Sequence, residues 1–206
     1  LPSPRAAYSI NGFVASLSAQ LPLIVTFSLV VPMFGVVGTL VVEKEERLRE
    51  QLLISGVPTR DYYLSSFLVN GGRFLIIAAV ITFEICFVLT HTPPTLLLAL
   101  LALFALSAMT FGIALTPFFK NARIGSIVVS VVFFMLLFVK NGLFPDAIEN
   151  YSPASLGFAS LLPPCAFALG VEHLATTEGA GQSVDWASAW DADHPFSVGR
   201  AMMMLV

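Results

Sequence analysis

Apolar positions in this chain come in long runs broken by short polar punctuation. Leu21–Val42, Thr95–Phe119 and Ile124–Val139 contain no charged residue at all. Val69–Thr90 is nearly as apolar, with Arg73 and Glu84 its only charges. At about 1.5 Å per residue, roughly 20 helical residues cross a hydrocarbon layer about 30 Å thick. The pattern therefore predicts an all-α polytopic bundle with transmembrane helices over 21–42, 69–90, 95–119 and 124–140. Pro22 suits the start of the first helix, and Pro32 predicts a kink within it. The fourth is short, and Lys140 at its end can extend toward the interface. Residues 1–20 read as a lead-in outside the membrane, and 196–206 as the start of a truncated fifth helix. The chain opens without Met and ends inside that apolar stretch, so it is expected to be a piece of something longer.

Composition strengthens the membrane reading. Of 206 residues, 57% are hydrophobic and only 11% charged, against roughly 25% charged in soluble domains. The net charge of −3 argues against nucleic acid as a partner. Cys86 and Cys165 form no metal or redox motif, and Cys86 reads as a small buried hydrophobe.

Charge also gives an orientation, because Lys and Arg gather in cytoplasmic loops. Lys44, Arg47, Arg49, Arg60, Lys120 and Arg123 all fall in the loops after the first and third spans. Between Asn141 and Gly199 there is no Lys or Arg, while Glu172, Glu178, Asp185, Asp191 and Asp193 accumulate. The loop over 43–62 is thus expected inside, and an acidic loop over 172–195 outside. The segment 153–171 is apolar but interrupted by Pro163 and Pro164, leaving each half too short to span. A single proline-kinked crossing would invert the acidic loop. A re-entrant helical hairpin from the outer face, with Pro163 and Pro164 at or near its tip, satisfies both facts. Trp186 and Trp190 suit an interfacial belt.

The charged block is Glu43-Lys-Glu-Glu-Arg-Leu-Arg-Glu50, followed by Gln51-Leu-Leu-Ile-Ser-Gly-Val-Pro58. On a helix, Glu43 and Glu45 stand four residues before Arg47 and Arg49, the favourable order, while Glu46 and Glu50 repel. Leu48 and Leu52 share one stripe, making the helix amphipathic. By pattern alone this is a solvated helix lying on the membrane surface.

Residues Val42 to Phe67 closely resemble the first intracellular loop of subfamily A ATP-binding-cassette transporters. There the loop reads roughly E-K-E, R-L-K-E, an apolar pair and M-G-L; here Glu43-Lys44-Glu45, Arg47-Leu48-Arg49-Glu50 and Ser55-Gly56-Val57 hold those places. The likeness returns in Leu161-Leu-Pro-Pro-Cys-Ala-Phe-Ala-Leu-Gly-Val-Glu172, with Trp186 beyond it. In all it covers about Leu21 to Trp190. The family usually carries Trp just after the loop, where this chain has Tyr62, Tyr63 and Ser66.

The resemblance implies an ABC-2 type membrane domain, later in one half of an exporter for lipid or another amphipathic compound. It implies that Glu43, Glu45, Arg47, Arg49, Glu50, Leu52 and Gly56 couple the membrane domain to a nucleotide-binding domain. The implied partners are that domain, a second transmembrane half and membrane lipids. ATP and Mg are implied for the nucleotide-binding domain, since none of Lys44, Lys120 and Lys140 is followed by Ser or Thr and this chain has no P-loop.

Arg73, Glu84 and Lys140 are the polar residues expected within spans, where ionisable groups are functional candidates. Arg73 and Glu84 lie about 16 Å apart along the helix and cannot pair directly. Lys140 is the expected partner of Glu84. Ala108 with Gly112, and Ser126 with Ser130, are small pairs that allow close helix approach. His91, His173 and His194 lack metal-ligand spacing and are expected at the surface. Asn150-Tyr-Ser152 is a glycosylation sequon followed by Pro153. No nucleophile–base pair stands out, and no catalytic or metal residue is assigned. An ABC-2 permease for a polysaccharide or drug, and a non-transporting scaffold or channel subunit, remain the alternatives.

Overall fold

In the computed structural model the described residues are 12–47, 51, 54–56, 58–87, 89, 92–143, 151–179, 184–190 and 196–206. They form helices and connecting turns, with no strand among them. Helix α1 spans Gly12–Glu45, α2 Thr59–Cys86, α3 Pro94–Leu115 and α4 Ala122–Leu143. Two shorter helices follow, α5 over Pro153–Ala159 and α6 over Pro163–Gly179, and then α7 over Val198–Leu205. The first four contain segments long and apolar enough to cross a membrane: Gln20–Glu45, Arg60–Cys86, Pro94–Phe118 and Ala122–Lys140.

Local chemistry sets several ends. Pro94 begins α3, where a missing N–H costs nothing, and Pro93 before it is held extended. Pro117 cannot continue α3, and the chain tightens into a 3-10 turn over Thr116–Phe118. The Ser152 hydroxyl accepts from the Ser155 N–H at 3.3 Å and caps α5; Ser197 does the same for α7 from Arg200.

Other ends depart from the pattern. Pro22 lies well inside α1 instead of at its start, and α1 runs unbroken past Pro32 as well. Helix α2 begins at Thr59, not near 69, because Pro58 is its N-cap and nothing after it interrupts the helix. Arg73 consequently sits near the middle of α2 and Glu84 in its last turn, not at the depths expected. Residues 172–179 are the end of α6 and not part of a loop.

Helix α1 is the central strut, packed along α4 and against α6 and α3, while α2 leans chiefly on α3. Small side chains permit these approaches. A Cβ at Gly112 would lie 3.3 Å from Met33, and one at Gly38 would lie 3.0 Å from the Ser126 hydroxyl. Mid-bundle, Phe104 of α3 stacks on Phe167 of α6 with centroids 4.2 Å apart and faces Phe133 of α4 at 6.1 Å. All three rings are fully buried.

That aromatic contact fixes the depth of α6. Phe104 lies roughly 15 Å along α3 from Pro94, and the Cys165 thiol donates to the Leu136 carbonyl within α4 at 3.1 Å. The chain thus leaves α4 at Leu143, is back at mid-depth at Pro163, and climbs again along α6. Pro163 and Pro164 form the first turn after the Ser160–Leu162 bend. At the far end of α6, the Thr92 hydroxyl donates to Glu178 at 2.8 Å and the Trp186 indole to Thr95 at 3.1 Å.

Two expectations fail here. Lys140 is ion-paired to Glu172, not to Glu84, because α4 packs on α6 whereas α2 packs on α3. His173 is buried, 7% exposed, not at the surface; α6 turns it into the bundle. His91, His194 and the sequon residue Asn150 lie outside the described residues.

Candidate functional site

The last turn of α1 carries Glu43, Lys44 and Glu45. Consecutive helical residues point about 100° apart, so three neighbours can reach three different elements. Each of them does. The Tyr62 hydroxyl on α2 donates to Glu43 Oε2. Lys44 Nζ donates to the carbonyls of Pro117 at 2.8 Å and Phe119 at 3.0 Å, beyond the end of α3. Glu45 Oε1 accepts from the Ala122 N–H at 3.0 Å, at the start of α4.

The signs of these charges match what the helix ends need. Terminal carbonyls lack intrahelical donors and terminal N–H groups lack acceptors. A cation at the end of α3 and an anion at the start of α4 also complement the two helix dipoles. Asn121 completes the α4 cap, its Oδ1 accepting from Arg123 N–H at 3.1 Å. The result is a clasp holding the ends of α1, α2, α3 and α4 together.

Beyond the clasp the chain turns sharply. Arg47 takes the left-handed backbone region at φ 54°, which ends α1, a conformation costing a non-glycine residue about 1–2 kcal/mol. The expected helix starting at Glu43 is therefore not continuous: Glu43–Glu45 belong to α1, and the Glu43–Arg47 pair does not form on one helix. Gln51 N–H donates to Arg47 C=O at 3.3 Å and Ser55 N–H to Gln51 C=O at 3.0 Å; Gln51 and Ile54 are helical, and Ser55 and Gly56 form a turn. Gly56 at φ 89° ends that turn, where a side chain would be strained. Ile54 at its tip is 87% exposed. Arg49, Glu50 and Leu52 lie outside the described residues.

Between α1 and α2, next to the clasp, opens a groove of about 600 Å³ lined by Thr39, Glu43, Ser66, Asn70 and Arg73 among others. No group of three or more metal-ligating side chains occurs among the described residues, and Cys86 and Cys165 are free thiols.

The sequence points to Glu43, Glu45, Arg47 and Gly56, and the structure gathers them at this end. It does not bring Arg73, Glu84 and Lys140 together: Arg73 and Glu84 lie 11 residues apart on α2, and Lys140 of α4 is paired with Glu172 of α6. Sequence reasoning missed Lys44, Tyr62 and Asn121. The signal available was Asn121 just before an apolar run, an N-cap signature; the carbonyls that Lys44 meets carry no mark in the sequence.

A family model described as ABC-2 family transporter protein matches residues 4–206. The Mus musculus protein named ATP-binding cassette sub-family A member 7 is 30% identical over 98% of this chain and 10% of its own length. The Homo sapiens protein named phospholipid-transporting ATPase ABCA3 is 26% identical over 98% of this chain and 12% of its own. The Mus musculus glucosylceramide transporter ABCA12 is 23% identical over 91% of this chain and 7% of its own. The chain thus spans about a tenth of the length of the curated relatives it matches. Much of the outer surface of α1, α2 and α4 is apolar, with Val31 at 68% and Ile76 at 67% exposure, as a lipid-facing protein requires. This chain is an integral, multi-pass membrane protein and belongs to the ABC-2 family of transporter proteins.

Proposed function

We propose that this chain is the membrane segment of one half of a sub-family A-type exporter, moving lipid or another amphipathic substrate. ATP and Mg would bind in a separate nucleotide-binding domain, because no P-loop exists here. The observation that carries the reading is the clasp, in which three consecutive charged residues tie the end of α1 to the ends of three other helices. A load applied to Gln51–Gly56 is delivered through Arg47 to α1, and through Glu43, Lys44 and Glu45 to α2, α3 and α4 at once. Exposed Ile54 offers an apolar contact for the nucleotide-binding domain. Lys44, Arg47, Arg60, Lys120 and Arg123 all cluster at this end, which supports a cytosolic location where that domain could dock. A second half would cover part of the apolar surface of the helices. The names of two relatives, phospholipid-transporting ATPase ABCA3 and glucosylceramide transporter ABCA12, support a lipid cargo.

The test uses the complete transporter reconstituted in liposomes. Charge reversal at Glu45 and Arg49 should bring the ratio of lipid-stimulated to basal ATPase down toward one while the protein still inserts. Unchanged stimulation would remove the coupling role. A panel of phospholipids, glycolipids, polysaccharides and drugs reads the cargo, and stimulation by polysaccharide or drug alone would assign a different ABC-2 permease. Absence of any ATPase would favour a scaffold or channel subunit.

A further inference from the structure

Because α2 begins at Thr59, Arg73 stands near the middle of a helix long enough to span a bilayer, and it is exposed. A guanidinium at that depth is costly in hydrocarbon and is found where it faces a cavity or a partner. Arg73 faces the groove between α1 and α2. No carboxylate among the described residues neutralises it. Asp61 lines the same groove but lies about 18 Å back along the helix, and Glu43 is engaged by Tyr62.

The groove is graded. On α2 the positions Tyr62, Ser66, Asn70 and Arg73 are spaced four, four and three apart, so they form one stripe over three helical turns. All four line the groove, with Thr39 and Glu43 of α1 opposite. The Asn70 amide donates to the Ser66 carbonyl at 2.9 Å, which orders the stripe between its ends. Flanking positions Leu64, Leu68, Val69 and Ile76 are apolar and exposed. A polar track therefore climbs from the helix end to mid-span, bordered by surface suited to acyl chains. Side chains on a helix lean toward its N-terminus, so Arg73 leans back along the track toward Asn70.

We propose that this track draws a membrane phospholipid headgroup inward between α1 and α2, with Arg73 binding its phosphate. Guanidinium is the side chain whose planar fork matches a phosphate in two parallel hydrogen bonds. An ammonium on the headgroup would trail toward Glu43 and Asp61 at the water end. The occupant is a phosphate attached to a lipid rather than free phosphate, because the track opens onto an apolar helix face. This assignment rests on the lipid-exporter reading for its purpose, but binding itself needs no ATP hydrolysis.

The experiment uses the complete transporter in nanodiscs of phosphatidylcholine, with two photoactivatable probes of identical acyl chains: a phosphatidylcholine and a diacylglycerol without phosphate. Wild-type protein should crosslink the phosphatidylcholine within Ser66–Arg73. Arg73→Gln should lower that labelling about tenfold, the loss of one strong charge-assisted contact, and Arg73→Lys should lower it less. Diacylglycerol labelling should be equal in all three, which also shows that the variants are folded. Equal phosphatidylcholine labelling in wild type and Arg73→Gln would overturn the proposal, as would complete competition by inorganic phosphate. Arg73-dependent labelling in a transporter without lipid-stimulated ATPase would uphold the track and sink the exporter reading; stimulation without such labelling would do the reverse.

Discussion

Glu45 Oε1 accepts a hydrogen bond at 3.0 Å from the backbone N–H of Ala122, 77 positions further along the chain. A side chain at the end of one membrane helix thus caps the start of another. Glu45→Ala removes the acceptor and leaves an N–H of α4 without its partner. The expected cost is about 1 kcal/mol, as for other lost N-caps. Glu45→Gln keeps an acceptor and should cost less than half of that. Thermal unfolding in detergent checks both, and hydrogen exchange at Ala122 shows whether the loss is local. Equal stability of wild type and Glu45→Ala would mean that the cap carries no energy.

How much of this was legible beforehand depends on what kind of force acts. The four long helices were readable because uninterrupted apolar runs such as Leu21–Val42 and Thr95–Phe119 admit one solution in a bilayer. The proline pair at 163–164 marked the bend before α6 for a local reason, a backbone that cannot continue a helix. Partner choice was not local. Lys140 pairs with Glu172 because of which helices are neighbours, and hydropathy does not encode adjacency. Glu43 and Glu45 read as charges of a separate loop helix; each instead bonds a neighbouring helix, because α1 continues past Val42 as far as Glu45. The hydropathy pattern starts the second span at Val69, ten residues after Thr59, because Tyr62, Ser65, Ser66 and Asn70 dilute it, although their polar stripe is compatible with a helix.

The Lys140–Glu172 pair lies in a mostly buried setting, with side chains 15% and 19% exposed. Breaking such a pair strands a charge and costs about 3–5 kcal/mol, whereas the intact pair contributes far less net. Lys140→Met and Glu172→Gln should therefore each lower the thermal midpoint strongly, while Lys140→Met with Glu172→Met recovers most of the loss. The charge-swapped protein, Lys140→Glu with Glu172→Lys, should also recover. Glu84→Lys placed beside Lys140→Glu should recover nothing, and recovery there would return Glu84 to the partnership.

Gly199 is required by contact rather than by conformation. A Cβ at that position would lie 2.6 Å from the Trp190 ring and 2.9 Å from the Ala189 carbonyl. Gly199→Ala forces the 3-10 turn at Ser188–Trp190 away from α7, an overpacking cost of about 1–3 kcal/mol. Trp190→Ala in the same chain should return part of that, since the ring then gives way and only the carbonyl contact remains. Thermal midpoints of the two single variants and the double variant decide this; strict additivity would show that the ring and the glycine do not meet.

Sidedness is the prediction on which the coupling role stands. Ser55 and Asp185 are both exposed and lie at opposite ends of the bundle. The intervening helices place Lys44, Arg47, Arg60, Lys120 and Arg123 at the Ser55 end, and positive residues are retained on the cytosolic side. In a background with Cys86 and Cys165 replaced by Ala, Ser55→Cys should react with a membrane-impermeant maleimide only after the cytosolic face is opened. Asp185→Cys should react in intact cells. Both substitutions sit on exposed turns and should change stability by no more than about 0.5 kcal/mol, so labelling reports position and not unfolding. If Ser55→Cys were labelled from outside, a cytosolic nucleotide-binding domain could not press on the Gln51–Gly56 turn. The clasp would then hold the helix ends together without transmitting work.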